Sequence, residues 1–200
     1  MTRSVKQVFY GLTLALILTG CGTTVERISP EEVTDLSGVW NDTDSRLVSE
    51  EMINDMLARP WIDQFLRTNG LKPAVIVGQI RNLSHEHIAV QAFIGDIERA
   101  LINSGRVDFV ASSGERGQVR DERKDQDVHA SESTRNVAGE ELGADYMLIG
   151  TINTIIDTER RDQVTYYQVD LNLVDMTDNR KAWVGQKKIK KFIERSRFRP

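Results

Sequence analysis

Four apolar residues at every second position, Tyr167, Val169, Leu171 and Leu173, alternate with Gln168, Asp170 and Asn172. Successive side chains on a strand point to opposite faces, so this stretch reads as a strand with one face buried and one wet. Such a strand needs a second layer to cover its apolar side. Tyr146 to Ile156 reads as a long strand before it, and Asp178-Asn179 marks a turn before another around Ala182, Trp183 and Val184. These three predict a C-terminal antiparallel meander.

Upstream, Ala74 to Ile80 (Ala-Val-Ile-Val-Gly-Gln-Ile) is a β-branched run bounded by Pro73 and Asn82, which suits a buried strand. Ser84 is placed to cap a following helix, with Val90, Ile94, Ile97 and Leu101 on one face, Phe93 beside them and Gly105 at its end. Val107 to Ala111 then returns as a short strand, completing a strand-helix-strand unit. Before it, Asp44 or Ser45 can cap a helix to Leu57, Pro60 breaks it, and a second short helix carries Trp61, Phe65 and Leu66 to Asn69-Gly70. Gly114 to Asp127 mixes both charges and predicts a solvated helix that packs weakly. Ser131 or Ser133 is expected to start one more helix, through Val137 and Leu142 to Gly143. The fold class is therefore α/β (α+β), with helices and strands in one domain.

The first twenty residues stand apart. Arg3 and Lys6 precede an apolar stretch from Val8 to Leu18, and no acid occurs before Glu26. Its roughly 11 residues fall short of the ~20 that a membrane-spanning helix needs. This is the layout of a secretory signal. The single cysteine closes it, in Leu18-Thr19-Gly20-Cys21, which resembles the lipobox of bacterial lipoproteins. That resemblance implies cleavage before Cys21 and acylation of Cys21. At about 0.8 kcal/mol per buried methylene, several acyl chains make a firm anchor. Gly22 after the cysteine, in place of an aspartate, implies sorting to the outer membrane, facing the periplasm. The expected organisation is signal peptide 1–20, lipidated tether 21–36 and globular domain 37–200. The tether's ~15 residues span at most about 50 Å when stretched.

Chemistry is sparse. The chain is 40% hydrophobic and 28% charged, with a net charge of −4, which is not the basic balance of a nucleic-acid binder. One cysteine excludes an internal disulfide framework. His85-Glu86-His87 is not a zincin pattern, and at a helix start its two imidazoles would point apart, so a solvated helix entry is expected and no metal. No nucleophile elbow, phosphate loop or Ser-x-x-Lys motif occurs. The expectation is no catalytic residue, no cofactor and no small-molecule substrate. Trp40, Trp61 and Trp183 suit a core. Tyr166 lies on the face opposite the apolar set of its strand, and with Gln168 and Asp170 it forms the candidate partner-binding set. Lys187, Lys188, Lys190, Lys191, Arg195, Arg197 and Arg199 read as a solvated, frayed terminus able to meet an acidic partner.

Taken together, the chain resembles the LpoB family of outer-membrane lipoproteins that activate a class A penicillin-binding protein. The residues that carry the resemblance are Leu18 to Cys21, Asp35-Leu-Ser-Gly-Val-Trp-Asn-Asp-Thr-Asp-Ser45, Val77-Gly78, Leu101-Ile-Asn-Ser-Gly105, Gly143-Ala-Asp-Tyr-Met-Leu-Ile-Gly150, and Trp183 with Gly185. The resemblance implies a single domain like the N-terminal domain of TolB, with a mixed four- to five-stranded sheet flanked by helices. It implies a protein that is not an enzyme, anchored by lipid, that docks on a class A penicillin-binding protein and stimulates peptidoglycan synthesis. Enteric relatives carry a long proline-rich linker, whereas here Pro30 is the only proline between Cys21 and Pro60. The alternative is a periplasmic envelope adaptor or assembly lipoprotein related to those of curli secretion. A pore is disfavoured, because no pair of alternating apolar segments remains outside the core strands.

Overall fold

In the computed structural model, residues 25–136 and 139–194 are described. The chain divides into two units, Met1–Glu32 and Val33–Pro200. In the first, the described residues make one turn, with the Glu32 amide donating to the Ser29 carbonyl at 3.0 Å.

The second unit is built on the alternating strand that the sequence marks. Four helices and five strands occur among the described residues. Helix α1 (Asp42–Leu57) and helix α2 (Trp61–Asn69) precede strand β1 (Ala74–Asn82). Helix α3 (Val90–Ser104), the short strand β2 (Asp108–Phe109) and helix α4 (Ser113–His129) follow. The meander closes the chain with β3 (Tyr146–Glu159), β4 (Asp162–Asp175) and β5 (Lys181–Glu194). The sheet order is β2-β1-β3-β4-β5. β1 runs parallel to both β2 and β3, whereas β3, β4 and β5 are antiparallel. The sheet is thus mixed, and the fold is α+β.

The inner face of the sheet carries Leu148, Ile152, Tyr167, Val169, Leu171 and Leu173, all fully buried or nearly so. Helix α3 lays Phe93, Ile97 and Leu101 on it, and α1 adds Val48, Ile53 and Met56. Burying each such side chain stabilises the fold by about 1.5–3 kcal/mol. Trp61 and Phe65 of α2 meet Tyr146 edge-on, at ring centroid distances of 4.9 and 5.7 Å. Trp183 lies along β5 toward α1, where its indole N–H donates to Asp55 at 2.8 Å. Its ring covers Gly185, where a Cβ would come within 2.1 Å of it, so this strand position needs a residue without a side chain.

Four local expectations are corrected. Helix α1 is capped by Asn41, and Asp44 is the third residue of a reciprocal capping box rather than the cap. Ser84 starts no helix: its hydroxyl and the Asn82 amide both donate to the Glu86 carbonyl, and helix α3 begins only at Val90. The expected helix from Ser131 to Gly143 is absent from its described residues, which form turns and irregular chain. Ser131 and Thr134 bond each other at 2.6 Å, the side-chain competition that keeps such residues out of helices. Val137 lies outside the described residues. The basic tail is also not frayed as far as Glu194, because Lys187, Lys188, Lys190 and Lys191 are paired in β5. Arg195, Arg197 and Arg199 lie outside the described residues, as does Cys21.

Candidate docking face and the strap behind it

Tyr166, Gln168 and Asp170 occupy alternate positions of the central meander strand and share its outer face, half-buried. Register places Ile155 and Lys190 on either side of Tyr166, Asn153 and Lys188 beside Gln168, and Thr151 and Gln186 beside Asp170. Gln168 and Gln186 both donate to the Asp170 carboxylate, each at 2.8 Å. These bonds hold the polar end of the face in a single arrangement. Toward the β3–β4 turn the face becomes apolar. Ile155 and Phe192 are 66% and 65% exposed, and Val164 lies between Asp157 and Phe192. An exposed aromatic–aliphatic patch with lysines 188 and 190 at its margin has the make-up of a protein interface. Ile155 and Phe192 were missed by sequence reasoning, and Lys188 and Lys190 were read there as part of a frayed basic terminus. Their signal was the same alternation, read on neighbouring strands rather than on β4 alone.

The reverse side of the same strand segment carries a buried polar cluster. Lys191 points inward from β5 and uses all three of its donors. It bonds Asp44 at 2.6 Å, Asp35 at 2.7 Å and the Val39 carbonyl at 3.1 Å. Burial disfavours its charge, but the hydrogen bonds it donates to Asp35 and Asp44 outweigh burial and raise its pKa. The bond from Lys191 holds the Asp35 carboxyl below its ordinary value of 3.8. Beside this cluster, the Tyr167 hydroxyl donates to the Glu86 carboxylate, 2.7 and 2.8 Å from its two oxygens. Glu86 also accepts the Trp40 backbone N–H at 3.1 Å. Burial first, and then the Glu86 bond, push the Tyr167 pKa upward. Trp40 meets the rings of Phe93 and Tyr167 at 6.2 and 5.6 Å.

These contacts tie residues 34–41 down as a strap over the inner face. Gly38 is its tightest point, with φ of 71° and Ile193 where a Cβ would stand, 2.4 Å away. An alanine there would be strained by both the backbone conformation and the contact. The strap coincides with the Asp35-to-Ser45 segment of the family resemblance, which gives that segment a physical reason. His85 is part of the same corner: its backbone N–H donates to the Thr154 hydroxyl at 3.2 Å, and its ring nitrogen lies 3.0 Å from that oxygen. His85 and His87 therefore flank a structural carboxylate in a loop, rather than a helix entry. Among the described residues, no group of three or more His, Cys, Asp or Glu side chains is placed to hold a metal ion. No described helix is long and apolar enough to cross a membrane.

The mixed sheet thus has a strapped inner face and an outer face that exposes Ile155 and Phe192. The family model for the peptidoglycan-synthase activator LpoB matches residues 44–189. That match spans well over half of the chain, and the chain belongs to the LpoB family. No curated protein matches it in sequence at a significant level. Among solved structures, the LpoB C-terminal domain from Escherichia coli is 14% identical, covering 74% of this chain and 99% of that one, with a TM-score of 0.42. Lipoprotein GNA1162 from Neisseria meningitidis is 15% identical, covering 60% and 83%, with a TM-score of 0.37. The PelC dodecamer from Paraburkholderia phytofirmans is 13% identical, covering 60% and 72%, with a TM-score of 0.32. Membership rests on the family match and not on these distant likenesses.

Proposed function

We propose that the protein is an outer-membrane lipoprotein, anchored through Cys21 and facing the periplasm, that binds a class A penicillin-binding protein and stimulates its peptidoglycan synthesis. The family match over residues 44–189 carries this reading. The Leu-Thr-Gly-Cys leader end supports the anchor. The mechanism is linkage: a partner that binds the active conformation of the synthase more tightly raises its population. No bond is made or broken by this chain. The outer meander face is the docking surface in this reading, with Tyr166 and Phe192 as aromatic anchors and Gln168 and Asp170 as the ordered polar rim.

The test mixes the purified full chain with each class A synthase of the same organism and measures binding and glycan polymerisation. Binding with a several-fold faster polymerisation supports the reading, as does a tenfold or greater loss of affinity in Tyr166→Ala, an anchor-sized effect. The chain alone should leave lipid II unchanged. A folded chain that binds none of these synthases would favour an envelope-assembly role instead. For the anchor, Cys21→Ser should lose acylation and leave the membrane fraction. An acylated, membrane-bound variant would overturn that assignment.

A further inference from the structure

Helix α4 is held to the body by charge rather than by packing. None of its residues is buried, and Val119 and Val128 are 46% and 75% exposed. Arg116, Arg120 and Arg123 are spaced to share one side of the helix. All three converge on one carboxylate, that of Glu141 in the chain between α4 and β3. Arg120 grips it with two bonds, Nε to Oε1 at 2.8 Å and Nη2 to Oε2 at 2.6 Å. Arg116 and Arg123 stand 3.8 Å away on either side, near enough to attract the carboxylate but beyond hydrogen-bond reach. The Nε of Arg116 is buried with no hydrogen-bond partner. Three guanidinium groups thus face a single negative charge. An open cleft of about 490 Å³ adjoins them, sharing Arg123 and walled by Gln118, Val119, Glu122, Gln126 and Asn136.

A lone structural ion pair needs one arginine. We propose that this arginine row is a recognition site for a carboxylate side chain in an acidic peptide segment of a protein partner, and that Glu141 is an internal stand-in which that segment displaces. Guanidinium forks match carboxylates bidentately, and the Arg120–Glu141 pair already displays that geometry. The Gln118 amide can hydrogen-bond a peptide backbone lying in the cleft, whose far wall is held in place by Gln126 bonding Glu122 and Asn136. A membrane surface fits less well. A plane of anionic head groups would meet Asp121, Asp125 and Asp127 together with the arginines, whereas a single segment in the cleft meets only Glu122 among these acids, and Gln126 already donates to that carboxylate. The exchange breaks no covalent bond. An internal competitor lowers the apparent affinity in proportion to the fraction of time that it vacates the site, so removing it should tighten binding.

The experiment measures fluorescence anisotropy of a fluorescein-labelled tetraglutamate peptide titrated with the full chain. Glu141→Gln should bind about tenfold more tightly than the native chain, the gain expected if the stand-in occupies the site roughly nine-tenths of the time. Arg123→Gln should bind several-fold more weakly while leaving the Arg120–Glu141 bonds in place, with an unchanged far-ultraviolet circular dichroism spectrum. Should Glu141→Gln fray α4, the Arg123→Gln comparison decides alone. The proposal is overturned if Glu141→Gln keeps its helix yet binds no more tightly, or if Arg123→Gln binds as the native chain does. It is also overturned if phosphatidylglycerol-containing vesicles bind and the peptide does not. None of these outcomes depends on whether a penicillin-binding protein is the chain's partner.

Discussion

Helices α1 and α4 are nearly equal in length, 16 and 17 residues, and each opens with a reciprocal capping box. Asn41 and Asp44 bond each other's backbone N–H in one, and Ser112 and Glu115 do so in the other. Yet α1 buries nine residues and α4 none. Local capping decides where each helix starts, and side-chain placement decides whether it belongs to the core. In α1, Val48, Met52, Ile53 and Met56 recur at helical spacing and reach the sheet. In α4 the corresponding positions hold Val119, Arg123, Lys124 and Asp127, and the contact that its arginines make is electrostatic.

The contrast is broken most strongly from within the core. Met56→Ala should cost about 3 kcal/mol, because Met56 is fully buried and the cavity it leaves relaxes only in part. Val119→Ala, the matching truncation in α4, should stay within about 0.5 kcal/mol. Urea unfolding of the two variants measures both. Next in size is Lys191→Met, which leaves the Val39 carbonyl without this donor and the buried Asp44 carboxylate with the Asn41 N–H but no cation. A loss of about 2 kcal/mol is expected, less than for a fully buried pair because Asp35 is half-exposed.

Removing the caps sharpens the contrast further. Asn41→Ala should lower global stability by about 1 kcal/mol. Ser112→Ala should leave the global midpoint unmoved, because α4 can open while the core stays folded. Hydrogen exchange should show α4 already less protected than β3 in the native chain and still less so in Ser112→Ala. Equal protection of α4 and β3 would end the distinction. The smallest effect is on pH dependence. Asp35 has its pKa lowered in the folded state, so its contribution is complete above 3.8 and fades as pH falls below that value. The strap should loosen in acid before the core does, seen as earlier exchange of the Trp40 amide or as a change in Trp40 fluorescence. Coincident loss of strap and core would contradict this.

Much of the architecture was legible in residues that carry a period. The alternation of Tyr167, Val169, Leu171 and Leu173 located the sheet, and the spacing of Phe93, Ile97 and Leu101 located the helix over it. Glycines 70 and 105 stood where helices end, and both adopt the left-handed conformation there. What stayed illegible was set by distance along the chain. Glu86 looked like the middle of a histidine pair in a helix entry, because its partners lie 46 and 81 residues away. Lys191 looked like one more tail lysine, although its partners, Asp35 and Asp44, lie at the opposite end of the domain. The outer-face residues Tyr166, Gln168 and Asp170 were reachable from one strand's pattern. Their neighbours Ile155 and Phe192 needed the strand register. Glu141 sat in a stretch read as helix, which hid that three arginines meet it.

The sheet order also leaves its two borders unequal. On one side the last strand, β2, is two residues long, and on the other β5 presents fourteen. A long open border offers unpaired backbone donors and acceptors to any second copy of the chain, which is a route to edge-to-edge aggregation. Here that border is written in lysine, at 187, 188, 190 and 191, with Phe192 immediately after them. Two such borders brought together antiparallel would press like charges against each other across a spacing of about 5 Å. Lys188 and Lys190, which flank the outer face, therefore also act against neighbouring copies zipping together, and neutralising these two should be felt first as lost solubility rather than as lost fold.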